Sequence, residues 1–295
     1  MEQSAAIIEL SEWLETPPGR YLLGWEQAQV DRAVFDIFGY HALQMGLPEL
    51  DGLRANRMPH RWLASDLRPA AESAAIARLA GFDTPDEDPP GRAGGPPRPP
   101  RGYELRIARR PEGARIGLHC AAEALPFPSN SLDLVLMPHT LELAADPHAA
   151  LAETARVLVP EGRLVILGFN PASLWGLRQR LGRTRQGLGM GGERLFMPSA
   201  GDFIGYWRLR DWLKLLGFHV EAGRFGCYRP PWNSERWLDR YAWMEQAGDR
   251  WWPVLGAVYF LVAVRRVRGM RLIGRVRKER VKTSPAPAVV AHRER

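Results

Sequence analysis

Cysteine is scarce in this sequence, and its scarcity excludes two common ways of stabilising a fold. Only Cys120 and Cys227 occur among 295 residues, and neither belongs to a Cys-x-x-Cys pair. A disulfide framework needs several pairs of cysteines, and a structural zinc site needs closely spaced ligands. We therefore expect neither disulfides nor a metal site. With 45% hydrophobic residues, the chain is expected to fold around an apolar core.

A long uninterrupted apolar run is also missing. The longest, from Trp251 to Val264, contains Pro253 and Gly256 and is shorter than the roughly 20 residues that cross a bilayer. Its later part is rich in β-branched and aromatic residues, which predicts a buried strand. The first residues are acidic where a secretory signal needs positive charge. We therefore expect a cytoplasmic protein without a transmembrane segment.

Positive charge is in excess and is concentrated towards the end of the chain. The net charge is +7, and basic residues fill about every second position from Arg265 to Lys282, opposed only by Glu279. Such a segment attracts nucleic acid or an anionic membrane surface, although a solvated tail has the same composition. Both partners therefore stay hypotheses, and residues 271–295 are expected to form a disordered basic tail.

Proline and glycine dominate one internal stretch, from Thr84 to Arg101. Because these residues sustain neither a helix nor a paired strand, the stretch is predicted to be an insertion or a linker. It separates residues 1–83 from residues 102–270. We expect the two parts to form one domain, with an aromatic-rich helical cover near residues 230–252 whose side chains serve mainly in packing or line an apolar substrate pocket.

Strand and helix patterns alternate along both parts. Strands are predicted at Ala33–Phe38, His60–Asp66, Ala114–Leu118, Leu132–Met137, Arg163–Phe169, Phe218–Ala222 and Gly256–Val264. Helices are predicted at Ala70–Phe82, at Pro147–Leu158 behind an Asp146 cap, and at Arg208–Leu216 before Gly217. This alternation predicts an α/β fold whose sheet is mostly parallel, is covered on both faces, and binds ligands at the carboxyl ends of its strands.

The segment from Leu125 to Leu167 has an ordered series of features. It contains a Leu-Pro-Phe turn, a strand entered at Asp133, a His-x-x-Glu stretch, a helix ending in Arg-Val-Leu, a Pro-Glu-Gly break and an apolar strand. In this order it resembles the central block of class I S-adenosylmethionine-dependent methyltransferases of the small-molecule type. The resemblance implies a Rossmann-like methyltransferase fold with a seven-stranded sheet, S-adenosyl-L-methionine as cofactor, and an unidentified small-molecule acceptor.

The resemblance also implies where the cofactor binds. The family has an acidic residue and closely spaced glycines after its first strand, and the stretch AVFDIFGYHALQMG offers Asp36, Gly39 and Gly46. These glycines let the backbone approach the methionine part of the cofactor. Asp66 resembles the acidic residue that ends the second strand and binds the ribose hydroxyls, but a helix cap would use the same side chain.

The turn before the central block is the expected adenine site. Ala122, Glu123 and Leu125 are assigned to the cofactor site here, and the backbone groups of Ala122 and Glu123 are expected to meet the adenine edge. Ala121 stands where many members of the family have an acidic residue that accepts a hydrogen bond from the adenine amino group.

Residues that follow the predicted strands are candidates for the chemistry. His139 is expected as a general base near the methionine end of the cofactor, and an ordinary structural histidine is the alternative. Asn170 and Pro171 sit where the substrate loops of the family begin, although a turn uses the same residues. Gly39 and Gly46 are farther apart than the closely spaced glycines of the family, and this difference leaves a second hypothesis open. The chain would then be a methyltransferase-like protein that no longer catalyses and serves as a binding or regulatory module, with the basic tail contacting RNA or membrane.

Overall fold

A computed structural model describes residues 2–65, 117–187, 195–198 and 203–266. Several predictions lie outside these residues: Asp66, the helix at 70–82, the linker at 84–101 and the tail at 271–295. Strands on both sides of the gap between residues 65 and 117 belong to the same sheet. The two predicted parts of the chain therefore contribute to one structural unit, while the proposed boundaries stay predictions.

Helices and strands alternate along the described residues. In chain order they are α1 (Glu2–Leu14), α2 (Pro17–Phe35), β1 (His41–Met45), β2 (His60–Ser65), β3 (Leu118–His119), β4 (Leu132–Pro138), α3 (Thr140–Leu143), α4 (Pro147–Val157), β5 (Leu158–Phe169), α5 (Leu174–Gly187), α6 (Tyr206–Leu215), β6 (Phe218–Gly226), α7 (Glu235–Arg240), α8 (Trp243–Trp251) and β7 (Val258–Arg265).

The strands form one seven-stranded sheet in the order β3-β2-β1-β4-β5-β7-β6. The pairs from β3 to β5 are all parallel, with Val135 of β4 opposite Leu164 of β5. Only β7 runs the other way in this sheet, and it pairs antiparallel with both β5 and β6. The predicted α/β fold with a mostly parallel sheet is confirmed.

Apolar side chains project from both faces of the sheet, and helices cover each face. Leu134 and Leu136 of β4 pack in one core cluster with residues of α1 and α2. Val135 and Met137 point the other way and pack with residues of α4 and α6. All four side chains are fully buried. Burial on both faces explains why β4 and β5 are continuous apolar runs in the sequence.

Local patterns in the second half of the chain were predictive. Asp146 caps α4 by accepting hydrogen bonds from His148 N at 2.8 Å and Ala149 N at 3.0 Å, which confirms the predicted helix start. Gly217 follows α6 with a φ of +83°, a conformation that favours glycine and ends the helix. β6 continues to Gly226, beyond its predicted end at Ala222.

The strand predicted at Ala33–Phe38 is wrong. Its first residues form the end of α2, and Asp36 is the C-terminal cap, whose N–H donates to the carbonyl of Val34. A helix start upstream explains the difference: Thr16 caps α2, and prolines occupy its first turn, as helix starts favour. The first strand is β1 instead, which contains polar His41 and Gln44 and so shows little apolar pattern.

The aromatic-rich segment forms helices α7 and α8, as predicted, but much of it is not packed. Trp237, Trp243 and Trp251 are 47%, 61% and 73% exposed. The prediction that the aromatic side chains serve mainly in packing is wrong for these three. None of the helices within the described residues has the length and apolar composition of a membrane span.

Candidate functional site

A cleft opens at the carboxyl edge of the sheet. Met45, Ser65 and Pro138, the last residues of β1, β2 and β4, lie in its lining. The space between its walls is about 540 Å³, a figure that includes the solvent at its open mouth. Its position at the ends of parallel strands is the one at which α/β sheets bind ligands.

Helix α1 forms one wall of this cleft. Ile7, Leu10 and Ser11 contribute to the lining, together with Leu143, the last residue of the short helix α3, and Ala144 after it. The helix is anchored by Trp13, whose indole N–H donates to the carbonyl of Phe196 at 2.6 Å. The N-terminal helix therefore narrows the carboxyl edge of the sheet, a role that its sequence did not indicate.

The loop after β1 forms the floor of the cleft, and it begins at Gly46. This residue has a backbone φ of +73°, a value that residues other than glycine rarely adopt. A Cβ at this position would lie 3.5 Å from Oγ1 of Thr140. Thr140 in turn donates to the carbonyl of Met45 at 2.7 Å. The positive φ therefore favours glycine at this position, and the hydrogen bond of Thr140 connects the end of β1 to the segment after β4.

Gln44 fixes the shape of this loop from within the strand. Its amide nitrogen donates to the carbonyls of Leu47 at 3.0 Å and Leu50 at 2.7 Å, and its amide oxygen accepts from Gly52 N at 3.0 Å. The side chain is 3% exposed. Because an amide both donates and accepts, Gln44 satisfies inward-facing groups of the loop that a carboxylate could satisfy only in part.

Glu49 places a negative charge beside the cleft. It is the one ionisable side chain among the described residues of the lining. Its Oε1 accepts from the hydroxyl of Ser11 at 2.6 Å, whereas its Oε2 is buried and has no hydrogen-bond partner among the residues that the structure describes. A buried carboxylate oxygen without a partner is costly, so this position suits a ligand that carries a donor or a positive charge.

The predicted adenine turn is only partly at the cleft. Ala122 lines it, but the side chain of Glu123 accepts from Asp146 N at 3.1 Å. The N–H of Leu125 donates to Glu153 at 2.9 Å, and its carbonyl accepts from Arg156 at 3.1 Å. The backbone of Leu125 therefore holds the turn against α4.

Asp36 and Gly39 lie at the opposite end of the strands from the cleft, just before β1 begins. A Cβ on Gly39 would come within 2.5 Å of the side chain of Asp133, which is near the start of β4. Oδ2 of Asp133 also accepts from Tyr40 N at 2.8 Å and from His41 N at 2.9 Å. Asp36 and Gly39 thus precede β1, and the expectation that they belong to the loop after the first strand is wrong.

His139 lies between two carboxylates beneath the carboxyl edge. Its Nδ1 is 2.8 Å from Oε2 of Glu142, and its Nε2 is 2.8 Å from Oε1 of Glu26. The imidazole is 1% exposed. Burial alone would lower its pKa, but the charges and hydrogen bonds of Glu26 and Glu142 outweigh burial and raise the pKa of His139 to about 10.

This geometry argues against His139 as a general base. A base needs an unprotonated nitrogen facing the substrate, whereas both nitrogens of His139 are engaged by carboxylates. Burial raises the pKa of Glu142, an effect that His139 opposes. We assign the proton to His139 because two carboxylates face it. Glu142 also accepts from Phe169 N at 2.5 Å, so the cluster Glu26–His139–Glu142 joins α2 to the ends of β4 and β5.

The predicted substrate loop has a structural role at its first residue. The amide nitrogen of Asn170 donates to the carbonyls of Val254 at 2.8 Å and Gly256 at 2.9 Å. Asn170 is 4% exposed, so it holds the segment that leads into β7, as the turn hypothesis expects. Within the described residues, no group of three or more His, Cys, Asp or Glu side chains could hold a metal ion.

The geometry identifies functional candidates that sequence reasoning missed. Gln44 and Glu49 flank Gly46. The strand predicted at Ala33–Phe38 instead placed the start of the expected cofactor loop before β1. The run from Gly46 to Gly52 begins and ends with glycine. This pattern was the sequence signal that could have indicated the loop after β1. Glu26 carried no signal, because its partner His139 is 113 residues away.

Known proteins resemble this chain mainly in its central part. Residues 103–166 match the methyltransferase domain family. The uncharacterized protein YafS of Escherichia coli K12 is 36% identical over 145 residues, which are 48% of this chain and 52% of YafS. The demethylmenaquinone methyltransferase of Chlamydia pneumoniae is 39% identical over 69 residues, or 23% of this chain and 30% of that protein. The chain therefore spans about half the length of YafS and less than a third of the second relative.

One further sequence relative and one solved structure are similar to the chain. The ubiquinone/menaquinone biosynthesis C-methyltransferase UbiE of Paraburkholderia phymatum is 47% identical over 53 residues, 18% of this chain and 22% of UbiE. A chain in the solved complex of the Haloferax volcanii Trm112 methyltransferase activator with the putative methyltransferase superposes with a TM-score of 0.47 at 16% identity, covering 89% of this chain and 98% of that one. The fold assignment rests on the strand order rather than on this superposition.

Proposed function

We propose that this chain, which belongs to the class I methyltransferase family, binds S-adenosyl-L-methionine at the carboxyl edge of its sheet and transfers the methyl group to a small-molecule acceptor. The observation that carries the proposal is the cleft beside Gly46, at the ends of β1, β2 and β4. In a parallel α/β sheet this edge is where a cofactor binds.

The residues of the cleft fit this cofactor. S-adenosyl-L-methionine carries positive charge on its ammonium and sulfonium groups, and Glu49 offers a buried carboxylate oxygen that no described residue pairs with. Gly46 adopts a positive φ at the start of the loop that lines the cleft. We assign Gly46, Glu49 and Ala122 to the cofactor site. Asp66, directly after β2, stays a prediction as the ribose ligand.

When bound, the cofactor supplies a methyl group that its sulfonium has already activated for displacement. The protein then has to orient two molecules and exclude water. Gln44 fixes the loop that orients the cofactor, and α1 closes one side of the cleft against solvent. The cluster Glu26–His139–Glu142 keeps the ends of β4 and β5 in place, and we propose His139 as a positioning residue.

The position of α1 supports a small acceptor, because the helix forms one wall of the cleft beside the loop after β1. The aromatic residues near α8 are a second apolar surface outside the cleft. The cytoplasmic location stays part of the proposal, as an expectation from the sequence.

Calorimetric titration of the full chain with S-adenosyl-L-methionine tests the proposal. Glu49→Gln should weaken binding by about tenfold, because it removes a charge-assisted contact. Asp36→Asn is the matched control, since Asp36 is exposed at the opposite edge of the sheet, and its affinity should equal that of the unmodified chain. Absence of binding at millimolar cofactor would refute the enzyme hypothesis and favour a methyltransferase-like protein without catalysis.

A further inference from the structure

Helix α5 has an apolar stripe that faces away from the protein. Leu174, Leu177 and Leu181 recur at the spacing of one helix face and are 49%, 52% and 52% exposed. The inner side of the helix is held by Trp175 and Gln179, which are 1% and 2% exposed. The solvent-facing side of α5 therefore has a leucine stripe, whereas an ordinary surface helix turns its apolar stripe towards the core.

The charge of α5 has one sign. The helix contains four arginines and no acidic residue: Arg178, Arg180, Arg183 and Arg185. All four are exposed. A leucine stripe flanked by arginines is typical of helices that lie in the interface of a membrane, where the leucines enter the acyl boundary and the arginines meet lipid phosphates.

One end of the stripe adjoins the aromatic segment. Leu174 lines a shared apolar pocket with Trp252 and Leu255, which are 38% and 43% exposed. Trp243 and Trp251 of the adjoining α8 are more exposed still. Tryptophan is enriched at the boundary between lipid and water, because its ring is apolar and its N–H is polar. Together, α5 and residues 243–255 form what we call the leucine-tryptophan surface.

We propose that the leucine-tryptophan surface docks on an anionic lipid bilayer. Two other occupants fit the charge less well. Residues 267–295 contain nine basic and two acidic residues, so they have the same sign as α5 and would be repelled by it. A second copy of the chain, paired symmetrically, would bring two arginine-rich helices together.

Three acidic residues of the neighbouring helices α7 and α8 have contacts of their own. Glu235 of α7 is ion-paired with Arg20, and Asp239 lies 3.7 Å from Arg229. Glu245 of α8 faces inward, where it accepts hydrogen bonds from the N–H groups of Cys227 and Tyr228. Among the described residues of α5 and of 243–255, Asp249 is the one further acidic side chain and is exposed, so the arginines of α5 outnumber it beside the leucine stripe.

Vesicle flotation of the full chain tests the proposal. The chain should float with phosphatidylcholine vesicles that contain about one third phosphatidylglycerol, and much less with phosphatidylcholine alone. The double variant Leu177→Glu, Leu181→Glu should lower the bound fraction on anionic vesicles by about tenfold or more, because it places charge in the acyl boundary. Leu215→Glu on α6 is the matched control: this leucine is 85% exposed, and its variant should bind like the unmodified chain.

A second variant separates charge from apolar contact. Arg180→Glu with Arg185→Glu should weaken flotation with anionic vesicles, and added salt should narrow the difference from the unmodified chain. Equal flotation of the leucine variant and the unmodified chain would place the contact in the basic tail and overturn the proposal. It would also be overturned if the unmodified chain failed to float, or if light scattering showed that the surface instead joins two copies.

Discussion

Nε2 of His139 lies 2.8 Å from Oε1 of Glu26, a residue 113 positions earlier in the chain. This contact and that of Glu142 enclose a protonated imidazole within the protein and connect α2 to the end of β4. The cluster lies next to the proposed cofactor edge but makes its contacts within the fold. Its properties can therefore be tested without knowledge of the methyl acceptor.

Removal of the imidazole should destabilise the fold. His139→Ala leaves the carboxylates of Glu26 and Glu142 buried without their shared partner, and the loss of one member of a buried ion pair costs about 3 kcal/mol or more. Urea unfolding measures the change. The matched control is His219→Ala, an exposed residue of β6, which should change the free energy of unfolding by less than about 0.5 kcal/mol. Equal stability of the two variants would contradict the buried charge cluster.

The stability that His139 contributes should depend on pH. Its pKa is about 10 in the folded protein and about 6.5 in an unfolded chain. A raised pKa means that the folded state holds the proton more tightly, so the contribution is complete below pH 6.5 and is lost as the pH rises through 10. The difference in unfolding free energy between the unmodified chain and His139→Asn should shrink over this interval. A constant difference would show that His139 is not protonated.

The amide of Gln44 should be needed to shape the loop after β1. Gln44→Glu replaces a donor with a carboxylate that faces the carbonyls of Leu47 and Leu50, at a cost of about 2 kcal/mol for buried groups left unsatisfied. We expect a lower thermal midpoint and weaker cofactor binding. If the variant keeps both properties of the unmodified chain, Gln44 does not organise the loop.

A half-buried carboxylate, that of Glu245 in α8, supports the segment after β6 by accepting from the N–H groups of Cys227 and Tyr228. Tyr21 donates its hydroxyl to Oε2 of Glu245, and burial together with neighbouring negative charge raises the pKa of Tyr21 above its usual range. Tyr21→Phe should lower the free energy of unfolding by about 1 kcal/mol through loss of this hydrogen bond. Tyr40→Phe, at a residue that is 72% exposed, is the control and should be neutral. Equal losses would argue against the Tyr21–Glu245 contact.

Local signals made the second half of the fold predictable. The apolar runs of β4 and β5 and the Asp146 cap of α4 each act within a few residues, so the sequence displays them directly. The first strand was missed because β1 is short and carries polar His41 and Gln44, while the end of α2 contains an apolar run. A strand pattern and the last turn of a helix cannot be distinguished over so few residues.

The site was harder to predict than the fold because its contacts are distant in sequence. Gly46 and Ala122 line the cleft at the carboxyl edge, and their contact with a cofactor stays a proposal. The buried position of His139 depends on Glu26 of another helix. The exposure of Leu177 and Trp251 depends on how α5 and α8 pack, which no local pattern specifies.

Hydrogen exchange measured by mass spectrometry, with and without millimolar S-adenosyl-L-methionine, tests the central claim most directly. Bound cofactor should slow amide exchange in the loop from Gly46 to Gly52, because contact with a ligand restricts its opening. Exchange between Asp36 and Tyr40, at the other edge of the sheet, should not change. Unchanged exchange in the loop, or protection confined to residues 36–40, would contradict the proposed cofactor site.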